Sequence, residues 1–239
     1  MSRPCPALIC TIGLHGSAST WIFNVVRELL TATQGEAALL GCFADRLEQL
    51  PPFETFAGKI LLVKSHMSSE ELEAWLDEQG ALRILSIRDP RDAMLSMMQR
   101  FKMPLGAAAH AIKHDTARLE RLAAPGQTVW RYEDRFFDHY ESVARLTAGL
   151  GLTVPETVQQ GIFTRFTTTA VRDFAQSLAS LPPERLTKVG PFDMDKVTQI
   201  LTSHVGDGET GKWRRLPPPL QAELAQFYAS FLTRFGYAG

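Results

Sequence analysis

Four short runs along the chain are mostly apolar at consecutive positions: ALICTI at 7–12, KILLV at 59–63, LRILSI at 82–87 and TVW at 128–130. A strand that is apolar on both faces belongs inside a parallel sheet covered by helices. Between these runs the period changes. Ile22, Val25, Val26, Leu29 and Leu30 recur at the spacing of one helical face. A second helix is expected after SSEELEAWL, where Ser68 or Ser69 can cap and the glutamates suit the positive helix end. A third opens at RDPRDAMLSMMQRF, with Asp89 as N-cap and Pro90 at the first helical position. The last follows Pro217 to Pro219 and sets Leu220, Leu224, Phe227, Phe231, Leu232 and Phe235 on one side. Strands alternating with helices predict an α/β fold, a central parallel sheet flanked by helices. No repeat, low-complexity tract or linker divides the chain, so residues 1–239 are expected to form a single domain.

Composition narrows the class further. The chain has 239 residues, 45% hydrophobic and 21% charged, enough to bury a core without staples. A net charge of -1 provides no global field for nucleic acid or an anionic membrane, so any anion site must be local. Cys5, Cys10 and Cys42 have neither metal-ligand nor CxxC spacing and read as reduced packing thiols. Arg3, the apolar ALICTIGL and the small SAS could imitate a signal peptide, but a buried first strand followed by an amphipathic helix explains the same residues. The expectation is a cytoplasmic protein with no stable membrane insertion and no nucleic-acid partner.

In open parallel sheets ligands gather at the carboxyl ends of the strands. Three segments fall there. The loop LHGSASTW, 14–21, follows the first strand; its small residues let backbone amides approach an anion at the helix start, and Ser19 and Thr20 add hydroxyls. It lacks the lysine of a nucleotide triphosphatase loop, and no acidic residue is clearly placed for magnesium. Read alone, it is as much a tight turn as a phosphate site. In VKSH, Lys64 and His66 share one side of an extended chain, and a cation beside an imidazole favours the neutral ring that a general base needs. The plainer alternative is a surface lysine and a half-buried histidine. In IRDPRDAMLS, Arg88 offers a planar fork of donors and Ser96 a hydroxyl, unless Arg88 simply pairs with Asp89 or Asp92. Near the C-terminus, HVGDGETGKWRR sets glycines among Lys212, Trp213, Arg214 and Arg215, which is either an anion loop or a solvated basic turn. Four such segments in one chain point together to an anion.

The order of these motifs resembles the sulfotransferases that use 3′-phosphoadenosine 5′-phosphosulfate (PAPS), and the resemblance runs from Thr11 to Tyr237. It implies a P-loop NTPase-like sulfotransferase architecture, PAPS as co-substrate, adenosine 3′,5′-bisphosphate (PAP) as product, and no metal. LHGSASTW resembles the 5′-phosphosulfate loop, which implies Ser17, Ala18, Ser19 and Thr20 around the 5′-phosphate and Trp21 stacked on adenine. KSH resembles the family's K-[TS]-H, implying His66 as base and Lys64 as transition-state cation. RDPRDAMLS resembles R-[DN]-P-x-D-x-x-x-S and implies Arg88 and Ser96 as 3′-phosphate ligands. RYED implies Tyr132 near the adenine, and GDGETGKW implies Gly208, Gly211, Lys212 and Trp213 around the 3′-phosphate.

Two departures stand out. Gly16 replaces the loop's usual Lys or Arg, with Lys64, His15 or Arg214 as stand-ins, and Gly206, Asp207 and Gly208 stand where Arg-Lys-Gly is frequent. The leading expectation is transfer of a sulfuryl group to a hydroxyl or amine, on a small-molecule, saccharide or lipid acceptor, with a carbohydrate or glycolipid preferred by analogy. The alternatives are a PAP/PAPS-binding protein that has lost efficient transfer through the change at Gly16, and a P-loop kinase-like enzyme. Phe43, Phe53, Phe56 and Phe101 could face the acceptor or the core.

Overall fold

A computed structural model describes residues 7–124 and 127–237; Arg3 and Cys5 lie outside them. The first half of the chain alternates strand and helix: β1 (Leu8–Gly13), α1 (Ser19–Gln34), β2 (Leu39–Phe43), α2 (Phe53–Phe56), β3 (Ile60–Ser65), α3 (Glu70–Glu78), β4 (Leu82–Ile87) and α4 (Pro90–Phe101). The helix α5 (Leu105–Leu122) leads into the short strand β5 (Val129–Arg131). Three helices follow, α6 (Glu141–Gly149), α7 (Glu156–Arg165) and α8 (Thr168–Ser177), and then the hairpin β6 (Leu186–Val189) and β7 (Phe192–Asp195). The described chain closes with α9 (Pro218–Phe227) and α10 (Ala229–Arg234).

The five long-range strands pair in parallel in the order β2-β3-β1-β4-β5. Alternation along each strand divides the core between the two faces. Cys10, Ile12, Leu61, Val63, Leu85 and Ile87 pack toward α3, α4, α5 and the C-terminal helices. Ile9, Leu62, Ile84 and Trp130 pack toward α1, α6 and α7. This is the parallel α/β sheet flanked by helices that the apolar runs predict. From β1 the chain crosses to β2 and returns through β3 on one side, then passes to β4 on the other, so the carboxyl end of β1 is a topological switch point. Cys10 and Cys42 are free thiols, both pushed up to about 12 by burial.

The helix starts follow their caps. Ser69, not Ser68, caps α3 by accepting from the Leu72 amide, and Asp89 caps α4 with Pro90 next to it. The single C-terminal helix expected after Pro217 is instead interrupted at Tyr228, whose buried hydroxyl donates to the Ala109 carbonyl at 3.0 Å. Anchoring the ring there sets the backbone at φ -102°, ψ 13° and breaks the run. Strand β2 was not among the expected runs because it lies at the sheet edge, half-buried, with Gly41 directly under the Phe23 ring. Among the described residues no helix is long and apolar enough to cross a membrane.

Gly13 ends β1 in a crowded spot: a Cβ there would run into the side chains of Ser17, Ser19 and Ser86. Gly13→Ala is therefore expected to lower stability by about 1–3 kcal/mol, the usual cost of forcing atoms into a packed site, read as a lower midpoint in denaturant unfolding.

Candidate functional site

The loop from β1 to α1 is preorganised by its backbone. Gly16 has φ 76° and Ala18 φ 60°, the latter an unusual value for a residue with a Cβ. The Ser17 hydroxyl shares a hydrogen bond of 2.8 Å with Ser86, fixing the loop to β4. Ala18 is the N-cap of α1 and contributes no side-chain cap, and no acidic residue occupies the first turn. Among the described residues the amides of Ala18, Ser19 and Thr20 have no acceptor. Open amides at the positive end of a 16-residue helix are donors suited to an anion. At φ 76° position 16 favours glycine over a residue with a Cβ.

Arg88 and Ser96 meet this loop. A Cβ at Gly16 would stand 3.4 Å from Arg88 Nη1 and 3.6 Å from Ser96 Oγ. Arg88 pairs with neither Asp89 nor Asp92. It donates to the carbonyls of Gly16 at 3.3 Å and Glu209 at 2.7 Å, and its guanidinium stacks on Tyr132 at 4.2 Å. Its buried Nε has no acceptor among the described residues. Burial pushes the Tyr132 phenol above its ordinary value. A Cβ at Gly208 would lie 3.9 Å from the Tyr132 hydroxyl, so the glycine-rich segment passes close to this ring.

Two neighbours in the same motif were not singled out by the sequence. Asp92 accepts the amides of Gly211 at 2.5 Å and Trp213 at 3.0 Å, and Arg91, paired with the Asp89 carboxylate, stacks on Trp213 at 3.5 Å. Together they dock the C-terminal loop on α4. Lys212 is engaged by the Asp207 carboxylate at 3.2 Å, and Arg214 lies 4.8 Å from the Trp213 ring centre. Trp21 is 7% exposed, edge-on to Phe136 at 5.6 Å, with its Nε1 buried and unpaired.

At the end of β3, His66 Nδ1 lies 2.8 Å from the Gly13 carbonyl. A carbonyl can only accept, so Nδ1 carries the proton and Nε2 keeps its lone pair. Burial, then the charges of His15 and Lys64, push the His66 imidazole well below its ordinary value. Its ring stacks on His15 at 4.4 Å, and His15 Nδ1 is held 2.5 Å from the buried Asp115 carboxylate. Asp115 comes from α5, 100 residues away, and nothing in the sequence marked it. Lys64 is 4% exposed and is brought down to about 7, chiefly by burial and then by Arg100. Its ammonium lies 5.8 Å from the Phe43 ring centre. Phe43 and Phe53 are exposed, Phe56 packs edge-on to Phe53, and Phe101 packs on Phe192.

His204 was also overlooked. Its Nδ1 accepts the Leu201 amide, so Nε2–H donates to Thr20 Oγ1 at 2.8 Å. The segment before it is tied to α1 through Asn24, which donates to the carbonyls of Thr20 and Thr198, both at 2.8 Å. Among the described residues no group of three or more His, Cys, Asp or Glu side chains could hold a metal ion.

No protein-family model matches the sequence, and no curated protein matches it. Solved structures do. The chain is similar to mouse sulfotransferase SULT7A1 complexed with PAP, with a TM-score of 0.66, 14% identity, and coverage of 99% of this chain and 91% of that one. It is also similar to retinol dehydratase in a complex with retinol and PAP, with a TM-score of 0.59, and in complex with androsterone and inactive cofactor PAP, with a TM-score of 0.61. Both of these are 12% identical and cover 97% of this chain and 82% of the other. At these identities the likeness is one of fold: the chain has the α/β architecture seen in those PAP complexes.

The docking by Asp92 can be tested directly. Asp92→Ala removes two charge-assisted hydrogen bonds, and the expected result is faster hydrogen exchange at the Gly211 and Trp213 amides, equivalent to a local loss of about 1–3 kcal/mol.

Proposed function

We propose that the chain is a single-domain sulfotransferase that moves a sulfuryl group from PAPS to a hydroxyl or amine acceptor. The observation that carries this reading is the meeting of Arg88 and Ser96 at the open amides of the Gly16 loop, with Arg88 stacked on Tyr132. A nucleotide fits that arrangement: the unpaired Arg88 Nε and Trp21 Nε1 are buried donors, and the amides at the start of α1 await an anion. When bound, PAPS would supply an activated sulfuryl group whose bond to the 5′-phosphate breaks as the acceptor bonds to sulfur.

The chain's own residues divide the remaining work. Ser17, Ala18, Ser19 and Thr20 would surround the 5′-phosphate, with Trp21 and Tyr132 toward the adenine. Arg88 and Ser96 would hold the 3′-phosphate, under a loop carrying Gly208, Gly211, Lys212 and Trp213. His66 Nε2 would take the acceptor's proton, since Nδ1–H is committed to Gly13. Lys64 would offset charge developing on the transferred group. His15, fixed by Asp115, stands beside His66 and is the better stand-in for the absent loop cation; Arg214 is occupied at Trp213. Gly16 itself favours a second reading, a PAP/PAPS-binding protein without efficient transfer, and turnover of PAPS distinguishes the two.

Three measurements check the proposal. In calorimetric titration, PAP is expected to bind much more tightly than AMP, and Arg88→Ala is expected to remove that preference; equal binding of PAP and AMP would refute the site. His66→Ala is expected to lower kcat by about 10²–10⁴-fold, and unchanged turnover would exclude the base. The pH profile of kcat/KM follows the two shifted groups. His66 stays neutral until well below its ordinary range, so the acidic limb lies well under pH 6 to 7. Lys64 loses its proton in the free protein as pH rises past about 7, so activity falls above that point, and Lys64→Met abolishes that limb.

A further inference from the structure

Arg100 has no part in the mechanism above. It sits in the last turn of α4, four residues beyond Ser96 and so on the same side of the helix. Its Nε donates to Ser203 Oγ at 3.0 Å, while its buried Nη2 has no acceptor among the described residues. Burial pushes the guanidinium down to about 10. After burial, Arg100 is the main influence lowering Lys64, and the main influence lowering His204, followed there by Lys64. Ser203 and His204 are adjacent, and His204 reaches Thr20 at the start of α1. Arg100 is therefore tied through Ser203 and its neighbour His204 to the start of α1, beside the phosphate loop.

Among the described residues no carboxylate forms an ion pair with Lys64 or Arg100. Asp45, the acidic group that Lys64 feels, already accepts from the Ser65 hydroxyl and the His66 and Met67 amides. A guanidinium with a buried, unpaired edge raises the free energy of the empty protein, and an anion entering there recovers it. The transferred sulfuryl group answers to Lys64. Arg100 is left with a free edge of its planar fork, a donor pattern suited to an oxyanion.

We propose that Arg100 is a subsite for an acidic group carried by the acceptor: a carboxylate, sulfate or phosphate on the molecule that also bears the reacting hydroxyl or amine. Arg100 is then a specificity residue that selects acidic acceptors over neutral ones. The inference rests on the sulfotransferase reading, because PAPS must fill the neighbouring sulfuryl position before the second anion site is distinct.

The experiment loads the protein with PAPS and titrates benzoate and phenyl phosphate, which carry no hydroxyl to accept sulfate, against neutral benzamide. Saturable binding of the anions and none of benzamide is expected, weakened roughly tenfold or more in Arg100→Gln and partly retained in Arg100→Lys. Undiminished PAPS affinity in both variants serves as the folding control. Equal binding of benzoate and benzamide, or anion binding indifferent to Arg100→Gln, overturns the subsite. So does a selective loss of PAPS affinity in Arg100→Gln in a variant that unfolds like the wild type, which would assign the charge to the sulfuryl group. If the unmodified protein fails to bind PAPS at all, the functional reading itself fails, and the subsite falls with it.

Discussion

The Asp92 carboxylate joins parts of the chain 119 and 121 positions apart. It accepts the two amides that shape the C-terminal loop, and it does so from the first turn of the helix that also presents Ser96 and Arg100. Everything at this end of the sheet is arranged around that attachment. Arg91 can stack on Trp213 only because the loop is held there, and Arg88 can reach the Glu209 carbonyl for the same reason. A buried carboxylate spent on backbone amides is a demanding interaction, since its removal leaves donors unpaired in a dry place.

The inner strands are legible in the sequence because both of their faces are buried, which turns them into uninterrupted apolar runs. The edge strand β2 is not, because half-burial and a glycine erase that signature. The C-terminal helices show the limit of periodicity: the apolar stripe is real, but one tyrosine hydroxyl bonding to Ala109 decides where the helix breaks. In the site, the loop, Lys64, His66, Arg88 and Ser96 are readable because each follows a strand end. Asp115 and His204 are not, since their roles depend on partners 100 and 184 residues away. Arg100 lies on an amphipathic helix where an arginine near the last turn reads as solvated and favourable to the helix end. Only the packing of Ser203 and His204 against α1 turns it inward.

The two sides of the site differ in how charge is treated. On the Arg88 side, a cation bonds neutral carbonyls and lies on an aromatic ring, an arrangement that tolerates waiting for an anion. On the Lys64 side, burial and mutual repulsion hold a lysine and two histidines away from their charged forms. A neutral imidazole and a reluctant ammonium are what proton transfer requires, and the same pressure makes the region receptive to negative charge. The carboxyl end of the sheet thus carries one half whose cation is already bonded and another that is electrostatically incomplete.

The interval between Gly13 and Trp213 has a consequence for how the protein is made. The amides of Gly211 and Trp213 that dock on Asp92 leave the ribosome some two hundred residues after strand β1 and its loop. Parallel pairing of β1 with β3 and β4 already defers the sheet until its distant strands exist. A nascent chain can therefore complete the sheet and the β1–α1 loop before the segment that docks on Asp92 exists.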